Sequence, residues 1–177
     1  IARERVIPMQ YVPSEKLDRL TTMNHQGIVA FIAEIEYTSL EQLIPIIYEE
    51  GRAPFFVILD GITDVRNFGA IARTAECTGV DAIIIPDKGS VSVTGDAIKT
   101  SAGALHRVAV CRVSSISHTI RMLQDNGIKV VTASEKASTT YTEESLQYPC
   151  AIVMGSEEVG PSEDTIRLSD SLIRIPQ

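Results

Sequence analysis

The sequence lacks paired cysteines, a long apolar run, a surplus of positive charge and a glycine fingerprint for a nucleotide phosphate. Each absence narrows the field. Cys77, Cys111 and Cys150 stand far apart with no C-x-x-C spacing. Three scattered cysteines exclude a disulfide framework and a zinc ribbon, and point to a reducing compartment such as the cytoplasm. All three lie in or beside apolar stretches, so buried small hydrophobes are the expectation. His25, His106 and His118 show no metal-ligand spacing, so no metal is expected. The apolar runs at Phe55 to Leu59 and Ala82 to Ile85 are far too short to span a bilayer. A net charge of −7 argues against wholesale coating of nucleic acid, but leaves a local basic patch open. After the first strand there is no G-x-G-x-x-G, and "GDAIKT" lacks the glycine that should precede Lys99 in a phosphate loop. No G-x-S-x-G elbow surrounds Ser101 or Ser156.

What remains is an alternating chain. Its 177 residues, 44% hydrophobic and 22% charged, suffice for one α/β core with a small appendage. Beyond Ser39, the runs "APFFVILD", "VDAIIIP", "HRVAVCRV", "IKVVTAS", "CAIVMG" and "LIRIP" read as short strands rich in β-branched residues. Helical stretches separate most of them: one from Asn67, one around "TGDAIKTSAGA", "SSISHTIRMLQDNG" stopped by Asn126-Gly127, and "SEDTIRLSD". Strands apolar on both faces imply an α/β fold with a parallel sheet covered by helices on each side. Its ligand should lie outside the strands' carboxyl ends. The helix of "SLEQLIPIIYEEGRAP" leads into this sheet. Residues 1–37 differ: "PSEKLDRL" is a short helical candidate with Ser14 as N-cap, and "NHQGIVAFIAEIEY" reads as one strand. We expect residues 1–37 to be the remnant of an upstream domain with its linker, and 38–177 the main domain.

Two stretches could carry chemistry. In "LDGITDVRNFGAIARTAECTGV", Asp64 or Asn67 can cap the helix, and Gly69, Ala70 and Ala72 permit close backbone approach. Arg66 and Arg73, seven apart, share one helix face, while Ile71 and Ala75 can face the sheet. Two guanidiniums there suit phosphate or a developing alkoxide. The plain alternative is a solvated face with Arg73 paired to Glu76, which composition alone favours. In "AIVMGSEEVGPS", a buried strand ends at Gly155, which lets the backbone approach a ligand. Glu157 could contact that ligand or orient Arg73; the plain alternative is a tight turn before a charged helix N-terminus.

Taken together, "DGITDVRNFGAIARTAECTGVDAIII", "KTSAGAL", "VTAS", "IVMGSEEVG" and "LIRIP" closely resemble, in order and spacing, the SpoU (TrmH-like) family of RNA methyltransferases in the SPOUT superfamily. The resemblance covers roughly residues 24 to 177, with a "LDRLTTMNHQGIVA" lead-in typical of members that carry an N-terminal RNA-binding domain. It implies a C-terminal trefoil knot in the parallel-sheet fold, S-adenosylmethionine as cofactor, methyl transfer to a ribose 2′-hydroxyl of RNA, and a homodimer that completes the site. Ribosomal RNA is the expected substrate ahead of tRNA; the alternative is a non-catalytic RNA-binding or ribosome-assembly protein that retains the fold. By position, the resemblance gives Asn67, Arg73 and Glu157 catalytic roles. It assigns Thr132, Ala133, Met154, Gly155, Ser156, Ile175 and Pro176 to the cofactor, with Ser101 to Ala104 packed in support of that pocket. Arginine is a poor base, its pKa lying above ~12, so Arg73 is read as stabilising the alkoxide and clamping an RNA phosphate. Acceptance of the hydroxyl proton by Arg73 stays open. Asn67 would position the nucleotide or Arg73, and Glu157 would hold Arg73 or touch substrate. Arg3, Arg5, Lys16 and Arg19 are candidate RNA contacts. Members continue past the "IP" with a third motif containing Ser-Leu-Asn, whereas this sequence stops at Gln177; we expect further residues on both sides.

Overall fold

A computed structural model describes residues 9–30 and 35–176. The chain divides into two compact units, Ile1–Ala33 and Glu34–Gln177.

Among the described residues of the first unit, one short helix, α1 (Ser14–Asp18), stands where "PSEKLDRL" predicts one. Its N-cap is Pro13, not Ser14, and no side chain caps it. Proline suits that place because its fixed φ is ready for a helix start. A turn follows, in which His25 Nδ1 accepts from the Gly27 N–H (3.0 Å) while Nε2 lies 2.9 Å from Asp18 Oδ1. Described residues 24–30 form no strand; the rest of the expected strand lies partly outside the described residues. Lys16 and Arg19 are exposed, and Arg3 and Arg5 lie outside the described residues.

The second unit is a six-stranded sheet in the order β3-β2-β1-β5-β4-β6, with every pair parallel. In chain order the strands are β1 (Phe55–Asp60), β2 (Ala82–Pro86), β3 (Ala109–Val113), β4 (Lys129–Ala133), β5 (Cys150–Gly155) and β6 (Ser171–Ile173). The connecting helices are α2 (Leu40–Glu49) before β1, α3 (Val65–Cys77), α4 (Gly95–Thr100), α5 (Ile116–Asp125) and α6 (Glu163–Leu168). Both sheet faces are covered, which is why Ile83, Ile84 and Ile85 are all buried in succession. On one face Phe56, Ile58 and Ile84 pack against Leu40, Ile44 and Ile47 of α2 and Ile120 and Leu123 of α5. On the other, Leu59, Ile83 and Ile85 meet Phe68, Ala72 and Ala75 of α3.

Local signals set the boundaries. Ser39, Ser115 and Ser162 cap α2, α5 and α6 through side-chain oxygens that accept backbone N–H groups. Helix α5 ends at Asn126, with Gly127 at φ 75°, as its sequence predicts. Gly69 has a different purpose. A Cβ there would sit 2.6 Å from Thr100 Cβ, so the missing side chain lets α3 and α4 touch. Ala70, expected to share that role, is exposed, and Ile71 is only half-buried. Cys111 and Cys150 are buried as expected, but Cys77 is exposed because it closes α3 on its outer side.

Candidate active site

The chain leaves β1 at Asp60, turns through Gly61, and starts α3 with Asp64 as N-cap, whose Oδ1 accepts from the Asn67 N–H at 2.7 Å. Asn67 is therefore not the cap, and its side chain is available for another partner. That partner is Glu157, ninety residues on: Asn67 Nδ2 donates to Glu157 Oε1 at 3.2 Å. Strands β1 and β5 are neighbours, with Asp60 in register with Gly155. The loops at their carboxyl ends must therefore meet. Glu157 was expected to hold Arg73 or touch substrate; the structure gives it Asn67.

The segment after β5 doubles back on itself. Ser156 and Gly160 form an antiparallel bridge, and Gly160 takes φ 74° to close the turn. A Cβ on Gly155 would lie 2.0 Å from Pro161 N and 2.1 Å from the Gly160 carbonyl carbon. Glycine is required at 155 by this returning backbone, where the sequence suggests closeness to a ligand.

Beside the turn, a cavity of about 580 Å³ opens at the carboxyl ends of β5, β4 and β6. Ala133, Met154, Gly155, Ser156, Ile175 and Pro176, six of the seven residues assigned to the cofactor, line it together with Glu157. Thr132 does not. Its side chain is fully buried and its hydroxyl pairs with Ser169 Oγ at 2.6 Å, beneath the wall. None of Ser101 to Ala104 reaches the cavity either. Ser101 and Ala104 are buried in the turn after α4, and Ala102 and Gly103 take positive φ as the chain leaves that helix. Their packing supports α3, and only through it the site.

The cavity's size is that of a small-ligand pocket. Met154, Ile166, Ile175 and Pro176 give it an apolar wall for a flat ring, and Glu157 and Glu158 offer carboxylates to a positive centre. This donor set fits a nucleoside-linked sulfonium. Lys136 and Arg174 also line it, and sequence reasoning passed over both. Lys136 lies just past "VTAS" and Arg174 just before "IP", so proximity to those strand ends was the available signal.

Arg73 is set apart. It lies six residues beyond Asn67 on α3, about 9 Å along the axis and roughly 120° round it. It is exposed, does not line this cavity, and has no hydrogen-bond or ion-pair partner among the described residues. Glu76, the partner a plain surface role would give it, is instead 3.2 Å from Arg107. Arg66, on the same face, is exposed as well.

A parallel sheet with a ligand cavity at the strands' carboxyl ends, and an asparagine and a carboxylate joined at its mouth, defines an α/β domain built for a nucleotide-like ligand. Comparison with known proteins carries the classification further. The SpoU rRNA Methylase family pattern matches residues 54–177, and an RNA 2′-O ribose methyltransferase substrate-binding pattern matches residues 1–38. YacO of Bacillus subtilis (strain 168), assigned to the TrmH family of tRNA/rRNA methyltransferases, is 36% identical over 176 residues, covering 99% of this chain and 71% of its own. Among solved structures, an AdoMet-bound rRNA methyltransferase from Sinorhizobium meliloti superposes with TM-score 0.69 at 26% identity, covering 80% of this chain and 52% of that one. A structure from Porphyromonas gingivalis, assigned to TrmH-family RNA methyltransferases, gives TM-score 0.65 at 27% identity over 71% of this chain and 51% of that one. The chain belongs to the SpoU (TrmH) family of S-adenosylmethionine-dependent RNA methyltransferases. The match spans about half the length of each of these two solved structures.

Proposed function

We propose that the protein methylates a ribose 2′-hydroxyl of RNA, with ribosomal RNA the substrate ahead of tRNA, and takes the methyl group from S-adenosylmethionine held in the cavity of β5, β4 and β6. The observation that carries this reading is the Asn67–Glu157 hydrogen bond at the mouth of that cavity, which joins two distant motifs beside the cofactor-assigned residues. The cofactor supplies an electrophilic methyl on a sulfonium. The protein must hold the ribose oxygen in line with it, and that oxygen must lose its proton as the new bond forms. In this reading Asn67, oriented by Glu157, fixes the nucleotide sugar. Arg73 carries a permanent charge suited to the developing alkoxide and to an adjacent phosphate.

Because Arg73 is exposed and off the cavity wall of its own chain, its role fits a homodimer in which a second copy presents the guanidinium to the site. Lys16 and Arg19 of the first unit, both exposed, are offered to RNA. Arg3 and Arg5 join them as proposals from sequence, and so does the family's trefoil knot. A cytoplasmic setting matches the substrate; no helix among the described residues is long and apolar enough to cross a membrane.

The test uses the full-length protein, radiolabelled S-adenosylmethionine, and unmodified ribosomal RNA and tRNA in parallel. Label recovered as 2′-O-methylated nucleosides from ribosomal RNA supports the whole reading, and recovery from tRNA alone corrects the substrate. Label in a base, or RNA binding with no transfer at all, overturns it; the latter outcome makes the protein an RNA-binding or assembly factor.

A further inference from the structure

The strands whose ends form the cavity are tied to β1 by side chains, and the tie begins at one carboxylate. Asp60 is the last residue of β1. Its Oδ2 accepts three hydrogen bonds: from the Ser162 N–H at 2.9 Å, Ser162 Oγ at 2.8 Å and Thr165 Oγ1 at 2.7 Å. Bonds to an ionised acceptor are roughly twice as strong as neutral ones. Thr165 is fully buried, and its carbonyl accepts from Ser169 Oγ at 2.8 Å. Ser169 Oγ in turn meets Thr132 Oγ1 of β4 at 2.6 Å. A path of hydrogen bonds, passing through both the hydroxyl and the backbone carbonyl of Thr165, thus runs from β1 through α6 to β4, the strands on either side of β5.

Asp60 also meets the other end of the same loop. Its backbone is in register with Gly155, the last residue of β5. Residues 156–161, which carry Glu157, therefore depart from a residue paired with Asp60 and return to a residue bonded by its carboxylate. Between those anchors the Gly160 N–H donates to the Ser156 carbonyl at 2.8 Å, and the Val159 N–H to Ser156 Oγ at 3.3 Å. The loop cannot shift at one end without breaking charge-assisted bonds at the other. As a cap for α6 the carboxylate would be redundant, since Ser162 Oγ already accepts from the Thr165 N–H.

We propose that Asp60 is a positioning residue of the methyl-transfer site: it clasps both ends of loop 156–161, and so sets Glu157 against Asn67 and fixes the cavity wall formed by Gly155, Ser156 and Pro161. Asp60 itself touches neither ligand nor Asn67 in this scheme; it acts through the loop.

The inference rests on the cavity's being the cofactor site, and its test separates the two. In the full-length protein, S-adenosylmethionine affinity is measured by calorimetry, and amide exchange at residues 156–162 is followed without ligand. Asp60→Ala should weaken cofactor binding about tenfold, the equivalent of losing one charge-assisted hydrogen bond. Exchange should quicken at Val159, Gly160 and Ser162 while Ile58 and Ile84 in the sheet are unaffected. All three bonds fall on Oδ2, so Asp60→Asn, which can place its carbonyl oxygen there without the charge, should recover part of the affinity. A contribution to bulk stability alone would lower the unfolding midpoint and leave affinity per folded molecule unchanged. Normal affinity with normal exchange in folded Asp60→Ala overturns the proposal, and so does failure of Asp60→Asn to restore binding. Should Asp60→Ala not fold, Ser162→Ala removes one of the three donors, and unchanged exchange at Val159 and Gly160 in that variant is then the overturning result. Absence of cofactor binding by the wild-type protein defeats the reading of the cavity instead, and the exchange measurements alone then decide whether Asp60 holds the loop.

Discussion

Replacing Gly155 by alanine adds one methyl group at the most crowded point of the site. The new Cβ would stand 2.0 Å from Pro161 N, 2.1 Å from the Gly160 carbonyl carbon and 2.5 Å from Pro161 Cδ. Two of these are backbone atoms, so no rotamer change relieves the clash; the returning strand of the loop must retreat by roughly 1.4 Å to reach ordinary contact at 3.4 Å. That movement pulls against the Ser156–Gly160 bridge and the Ser162–Asp60 bonds. Overpacking by a methylene costs about 1–3 kcal/mol, and a clash with backbone on one side belongs at the upper end. At about 3 kcal/mol the unfolding midpoint should fall by roughly 6–12 °C for a chain of this size. Cofactor affinity should fall about tenfold or more, because the displaced residues are themselves cavity wall. Scanning calorimetry and titration with S-adenosylmethionine read the two effects. Gly69→Ala is the control. Its Cβ would meet Thr100 Cβ at 2.6 Å, between α3 and α4 and off the cavity wall, so it should cost stability with much less effect on affinity. A Gly155→Ala protein that keeps both its wild-type midpoint and its cofactor affinity would refute the double-back geometry on which the site is built.

Other perturbations separate the remaining roles. Arg73→Ala should abolish methyl transfer while leaving cofactor affinity nearly unchanged and stability within about 0.5 kcal/mol, since the side chain is exposed and unpaired among the described residues; full activity would remove Arg73 from the mechanism. Thr132→Val, which keeps the volume and deletes the hydroxyl facing Ser169, should cost about 1 kcal/mol in denaturant melts and little in cofactor titration. Burial pushes the Cys111 thiol up from 9.0 to about 12. Above pH 9 the unfolded chain loses this proton while the folded chain keeps it, so the group's stabilising effect is present below pH 9 and is lost as pH rises toward 12. The alkaline fall can be as steep as about 1.4 kcal/mol per pH unit, and it should be shallower in Cys111→Ala at matched denaturant midpoints. Iodoacetamide should accordingly label exposed Cys77 in the folded protein, and Cys111 and Cys150 only after unfolding, as read by peptide mass spectrometry.

The sheet was legible in the sequence because its signal is local and redundant. "AIIIP" and "CAIVMG" are short β-branched or apolar runs that read as strands of a covered sheet, and Asn126-Gly127 marks a helix end with backbone chemistry that acts within four residues. The local reading failed where two candidates offered the same chemistry. Asp64 and Asn67 can each cap α3, and only the fold shows that Asp64 does so, which releases Asn67 for Glu157. Ser14, expected as the cap of α1, is instead its first helical residue, and Pro13 before it has no side-chain oxygen to offer. Within the site, distance along the chain was the obstacle. The Asn67–Glu157 bond and the Asp60–Ser162 bond span 90 and 102 residues, and neither leaves a periodic trace. Strand order alone makes both possible: β5 enters beside β1, after β2, β3 and β4 have been laid down elsewhere in the sheet. Thr132 stands one residue inside the end of β4 with its hydroxyl against Ser169, whereas Ala133, the last residue of the strand, lines the cavity. Helical geometry on α3 sets Arg73 about 120° from Asn67. Asn67 and Arg73 therefore leave the helix in different directions, and that divergence, invisible in the spacing alone, is what leads to the proposal that a second copy supplies the arginine.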